Sequence, residues 1–184
     1  TVRSGFTPGF FGMIRGAGIR NLKISGKNDA TTAISLTSNF LIGKGLLVGS
    51  MEDSVVYGCI AEGEVGGSGV IAGGLVGVAR HSIIIDCGSS ATVNCAETYT
   101  GGLVGYMTAG YDVAMCLLNS YCTGNVTSTN TGSSYYVGGL VGWLSDDAVN
   151  NVFTGTVTAG EEGTVGALFG YVDNAILANS VNDD

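Results

Sequence analysis

Alternation is the dominant pattern of the chain. After each of several turn-like positions, apolar or small residues occupy every second place: Cys59-Ala61-Gly63-Val65, Cys87-Ser89-Ala91-Val93, Ser120-Cys122-Gly124-Val126 and Asn151-Phe153-Gly155-Val157. Polar residues fill the intervening places, as in Glu62-Glu64, Ser90-Thr92, Thr123-Asn125 and Thr154-Thr156. A period of two is that of a strand with one buried face, so these four stretches are predicted as strands of one kind. A second apolar phrase, GGLVG or a close variant, precedes each of them.

The phrases are regularly spaced. Taking the last glycine as anchor gives Gly12, Gly49, Gly77, Gly105, Gly142 and Gly170, separated by 37, 28, 28, 37 and 28 residues. A 28-residue unit with two nine-residue excesses accounts for every interval. Near nine residues after each anchor stand Asn21, Gly58, Asp86, Asn119, Asn150 and Asn179, allowing five extra residues in the fourth unit and one fewer in the fifth. These residue types tolerate a left-handed backbone, so a turn is predicted there. Two positions before that turn runs a column of Ile19, Val56, Ile84, Leu117, Ala148 and Leu177.

A short unit of strands and turns that cannot bury its own inner face must stack on its neighbours. The expected fold is therefore all-β, a parallel β-helix (β-solenoid) of about six coils with a basic repeat of 28 residues, forming a single module over residues 1–184. The bulky column Phe10, Leu47, Leu75, Leu103, Leu140 and Leu168 is expected to point inward. The anchor glycine is expected where the coil wall bends too tightly for a Cβ.

Composition agrees with strands and turns. Glycine numbers 32 and proline 1, and 45% of residues are hydrophobic against 12% charged. No apolar run approaches the ~18 residues of a membrane-spanning helix, so membrane insertion is not expected. The net charge of −8 is unevenly placed: seven bases and five acids lie in residues 1–80, and ten acids without a Lys or Arg lie beyond. Nucleic acid is an improbable partner for such a chain, because phosphate binding needs clustered bases.

Candidate chemistry is sparse. Cys59, Cys87, Cys95, Cys116 and Cys122 form no CxxC pair and accompany one histidine, His81, which supports no metal site. The equivalent Cys59 and Cys87 are expected to stack as buried thiols. The turn asparagines are expected to bond one another along the stack. A glycine loop cradling phosphate would need a following helix and a base, so no cofactor is expected. Carboxylates at Glu52-Asp53, Asp146-Asp147 and Asp173 follow their anchors, and Glu62 and Glu64 share a strand face, but none converges with a second acid as hydrolysis requires.

Aromatic residues offer the better binding signal. The position after the anchor reads Tyr106, Trp143 and Tyr171 in three successive units, and the insertions of the fourth unit add Tyr111, Tyr135 and Tyr136. Such rings can meet a sugar face or a protein partner.

GGLVG followed by Asn119-Ser120 and then Thr123-Gly124-Asn125-Val126 resembles the GLUG-motif repeat of bacterial surface and secreted proteins. The resemblance runs from GFFG at 9–12 to NSVN at 179–182. It implies an extracellular or cell-surface setting and a modular parent with flanking domains, as in adhesin-like proteins and in regions outside the catalytic domain of metalloproteases that cleave immunoglobulin A. The expected function is a non-catalytic adhesion or spacer module, with a glycan or host surface protein as partner at the aromatic-rich face of the C-terminal half. A polysaccharide-active β-helix, or an accessory domain of a secreted enzyme, is the alternative. The His-Glu-x-x-His motif of those proteases is absent from a chain whose only histidine is His81.

Overall fold

The computed structural model describes residues 9–29, 42–69, 71–108, 116–132 and 134–183. Their regular structure is all-β, with no helix among the described residues. Every pairing between the described strands is parallel and joins equivalent segments of successive repeats, an arrangement compatible with a solenoid.

The anchor phrases form a six-stranded sheet of Phe11–Arg15, Val48–Glu52, Val76–Arg80, Val104–Thr108, Val141–Ser145 and Phe169–Val172, in that order. The apolar column before the turn forms a second, from Gly18–Arg20 to Leu177–Ala178. The alternating stretches make a nine-stranded sheet. In it the long strand Ile60–Val65 pairs with Lys23–Asn28 on one side and forks on the other into Gly88–Ser89 and Thr92–Cys95. A short fourth sheet contains Ile71–Gly73, Tyr99–Gly101, Tyr136–Gly138 and Thr164–Gly166.

All six turn positions adopt the left-handed backbone, with φ from 49° at Asn119 to 60° at Gly58. A second left-handed corner, at Gly16, Asp53, His81 and Asn174, lies four residues after the anchors. Side chains reinforce both corners. The N–H of Cys59 donates to Cys87 Sγ at 3.4 Å, that of Cys87 to Ser120 Oγ at 3.2 Å, and that of Ser120 to Asn151 Oδ1 at 3.0 Å. At the other corner Ala17 N–H donates to Ser54 Oγ and Ser54 N–H to Ser82 Oγ, both at 3.1 Å. Each corner donor is thereby satisfied by the side chain of the following repeat, where an orphan buried N–H would be costly.

The core runs through the stacked repeats. Met51, Ala79, Met107 and Leu144 line it from the anchor sheet, and Val65, Val93 and Val126 from the nine-stranded sheet, all at most 1% exposed. Full burial of such side chains stabilises by ~1.5–3 kcal/mol each for the larger ones. Leu47, Leu75, Leu103 and Leu140 are buried as expected. Phe10 is not: on the first repeat, which has no described strand on its other side, it is 61% exposed.

The anchor glycines also differ from expectation in their reason. They lie within or beside strands without the left-handed backbone, and the bend falls earlier, at Gly102-Leu103 and Gly139-Leu140. What excludes a side chain is the short sheet, laid backbone to backbone on the anchor sheet. A Cβ on Gly105 would sit 2.7 Å from the carbonyl oxygen of Ala72, and one on Gly142 would sit 2.6 Å from the amide nitrogen of Thr100.

Candidate functional site

The bend between the short sheet and the anchor sheet positions the aromatic residues. Tyr99 and Tyr136 are register partners in the short sheet. Tyr106, Trp143 and Tyr171 are register partners in the anchor sheet. Because the chain reverses within two residues, Tyr99 comes back onto Tyr106, with ring centroids 5.3 Å apart.

The two files of rings interlock. Within files the rings are nearly parallel: Tyr99 and Tyr136 at 5.8 Å and 15°, Tyr106 and Trp143 at 6.1 Å and 20°, Trp143 and Tyr171 at 4.1 Å and 24°. Between files they meet edge to face, with Tyr136 at 5.2 Å and 88° from Trp143 and at 5.2 Å and 66° from Tyr171. Both are favoured ring geometries, worth ~0.5–1.5 kcal/mol per pair beyond area burial. The strip is therefore structural as well as accessible. Its members are half-buried up to Tyr171, which is 37% exposed at the last strand of the sheet. Burial and the neighbouring phenols of Tyr106 and Tyr136 raise the pKa of Tyr99, keeping it a neutral donor.

Four of the six aromatic residues expected at a binding face are thus brought together, joined by Tyr99, which the reading from the anchors missed. Its signal was present: Tyr99 and Tyr136 each stand six residues before an anchor. Tyr135 is a correction. It is 1% exposed, its hydroxyl donates to the Gly160 carbonyl at 2.9 Å, and its ring lies over Gly163, so alternation turns it inward while Tyr136 faces out. Tyr111 lies outside the described residues.

No family model matches the chain, and searches of curated proteins and of solved structures find no match.

Glu52, Glu62 and Glu64 are occupied by pairing. Arg15 donates to Glu52 through Nε at 2.9 Å, which lowers the pKa of Glu52, and Lys23–Glu62 and Lys27–Glu64 pair at 2.7 and 3.1 Å. Three bases of the first repeat thus meet acids of the second, in exposed pairs worth little individually. His81 Nδ1 lies 3.5 Å from Asp53 Oδ1, and both residues occupy the left-handed corner. Among the described residues no group of three or more His, Cys, Asp or Glu could hold a metal ion. Cys59, Cys87, Cys95 and Cys122 are free and buried, and burial pushes the thiols of Cys87, Cys95 and Cys122 up to about 12. They remain protonated and unreactive at neutral pH. One rung of the asparagine ladder is present, Asn150 Nδ2 donating to Asn119 Oδ1 at 3.1 Å.

Asp146 stands apart. It is 3% exposed, its Oδ1 accepts the N–H of Asp147 at 2.7 Å, and its Oδ2 has no partner. Burial raises its pKa from 3.8 to about 7. Below 3.8 the group is protonated in both folded and unfolded chains; between 3.8 and about 7 the unfolded chain releases the proton first, so stability falls across that window and then levels off. Asp146→Asn keeps the acceptor and removes the ionisation. Denaturant unfolding at a pH near each end of the window is expected to show the variant losing less stability than the parent. Equal losses would mean that Asp146 ionises freely in the folded protein.

Proposed function

We propose that the chain is a parallel β-helix of about six coils, a GLUG-type module of a longer bacterial surface or secreted protein, acting as a non-catalytic extracellular adhesion or spacer module. Its contact surface is the strip of Tyr99, Tyr106, Tyr136, Trp143 and Tyr171, and its partner a glycan or a host surface protein. The observation that carries this reading is the strip itself: five touching, half-exposed rings on two sheets held backbone to backbone by glycine. Rigid aromatic side chains present contact area with little conformational entropy to lose, which favours them at recognition surfaces. The repeat arrangement supports a spacer, because parallel strands stacked at about 4.8 Å per layer resist bending of the whole.

Mutual stacking decides how a ligand would be met. The faces of Trp143 cover neighbouring rings, so the strip offers ring edges and phenol hydroxyls along its length, and the outer face of Tyr171 at its end. Tyr171→Ala removes the end ring alone. Against a panel of immobilised glycans and purified matrix proteins, it is expected to reduce binding by about tenfold or more with a near-native melting temperature. Trp143→Ala, which strips a ring touching four others, is expected to lower both. Undiminished binding by Tyr171→Ala and Tyr106→Ala would remove the strip from recognition.

A further inference from the structure

The outer face of the second sheet is apolar where that of the nine-stranded sheet is polar. In its strands Val55–Tyr57, Ile83–Ile85, Cys116–Leu118 and Asp147–Val149, the middle residues Val56, Ile84, Leu117 and Ala148 are wholly buried in the core. Their neighbours Val55, Tyr57, Ile83, Ile85, Leu118 and Val149 turn outward, Val55 with 38% and Tyr57 with 45% exposed. The register aligns Val55 with Ile83, and Tyr57 with Ile85, Leu118 and Val149. Past the left-handed turn the apolar surface resumes at the register partners Tyr121 and Val152, both 38% exposed. The nine-stranded sheet instead turns out Thr92, Asn94, Thr123, Asn125, Thr154 and Thr156. All four strands of the apolar face are interior, with a paired strand on either side. Single exposed apolar side chains are ordinary, but a contiguous patch marks an interaction surface.

Charge decides what covers it. Seven bases and five acids give residues 1–80 a net +2, while ten acids without a Lys or Arg give the rest −10. Two copies lying side by side with their repeats running the same way would set the acidic halves against each other. Running opposite ways, each sets its basic half against the acidic half of the other. The face carries the same gradient: exposed Arg20, the register partner of Tyr57, stands at one end, and Asp147 at the other. Neither forms an ion pair among the described residues, and Asp147 accepts the Ile176 N–H through Oδ1 at 2.7 Å.

We infer that a second copy of this chain covers the apolar face, sheet on sheet, with the repeats of the two copies running in opposite directions. A two-fold axis along Ile83–Ile85 sets these residues on their own counterparts and lays Val55–Tyr57 over Cys116–Leu118. It also lays Gly18–Arg20 over Asp147–Val149, so that Arg20 of each copy reaches Asp147 of the other. Such a contact is isologous and closes at the dimer. The face is narrow, with two outward side chains per strand, which places the dissociation constant on the order of 1–100 μM. The aromatic strip lies on the other sheets, so the inference is independent of any ligand there.

Sedimentation equilibrium of the 184-residue chain from submicromolar concentration to ~1 mM tests it. The expected result is a mass that rises from 18.6 kDa to twice that value and stops. Ile85→Lys, which sets two lysines on each other across the axis, is expected to weaken dimerisation by about tenfold or more. Arg20→Asp is expected to weaken it several-fold, and more at low salt than at high. Adding Asp147→Arg to Arg20→Asp reverses both charges and is expected to bring dimerisation back to within about twofold of the parent. Should Ile85→Lys fail to give the parent's circular dichroism, the charge reversals decide alone. A monomer at every concentration, assemblies that grow past the dimer, a folded Ile85→Lys protein that dimerises like the parent, or a folded double reversal no tighter than Arg20→Asp would each overturn the inference.

Discussion

Lys44→Met is expected to lower the free energy of unfolding by about 3–5 kcal/mol. Lys44 extends the short sheet, bridging to Ala72, with its N–H donating to the Ile71 carbonyl at 3.0 Å and its own carbonyl accepting from Gly73 at 2.9 Å. Its ammonium pairs with Glu97, and both side chains are wholly buried. Burial pushes the pKa of Glu97 up while the lysine draws it down. Removing the lysine leaves a carboxyl that must either hold an uncompensated charge or take up a proton, and both cost stability. The pair itself earns little, because two charges were taken out of water to make it. Lys44→Met with Glu97→Leu is therefore expected to recover most of the loss. Urea unfolding of both variants checks this; a single variant within about 1 kcal/mol of the parent would show that water reaches the pair.

The second large effect is expected at Gly142. A methyl group there would lie 2.6 Å from the Thr100 amide nitrogen and 2.7 Å from the Gly105 carbonyl oxygen, both fixed backbone atoms. No rotamer relieves that overlap, so the two sheets must part, which also disturbs the rings above them. Gly142→Ala is expected to cost about 3 kcal/mol or more, or to prevent folding. Gly18→Ala is the control: it is also in a strand, but its added Cβ meets nothing within 4 Å, and its expected effect is within about 0.5 kcal/mol. Similar melting temperatures for the two variants would contradict the backbone contact.

The contrast between these glycines shows what the sequence could convey. Gly142 belongs to a repeated phrase, and the 37- and 28-residue intervals between such phrases are the strand registers observed, Phe11 with Val48 and Val141 with Phe169. Regular repetition also made the first left-handed corner legible, because Asn, Asp and Gly recur there. The second corner was hidden by variety: Gly16, Asp53, His81 and Asn174 share a backbone conformation but little chemistry, and the fifth repeat, one residue shorter, places Asp146 in that segment. Lys44 and Glu97 were invisible for a different reason. They occur once each, 53 residues apart, and no periodicity announces a pair that only the closing of the core brings together. Among the aromatics, two adjacent tyrosines could not be separated by composition; alternation sends Tyr135 into the core and Tyr136 to the strip.

The corner ladder has a bearing on how the protein is made. From Cys59 to Cys87 to Ser120 to Asn151, each amide waits for an acceptor carried by the next repeat, about 30 residues later in the chain. Synthesis runs in the same direction. A nascent chain leaving the ribosome amino end first has one unfinished corner at its growing tip, and each new repeat completes its predecessor while opening a corner of its own. The same polarity makes loss of the final repeat expose one corner, whereas a break in the middle strands two separate stacks.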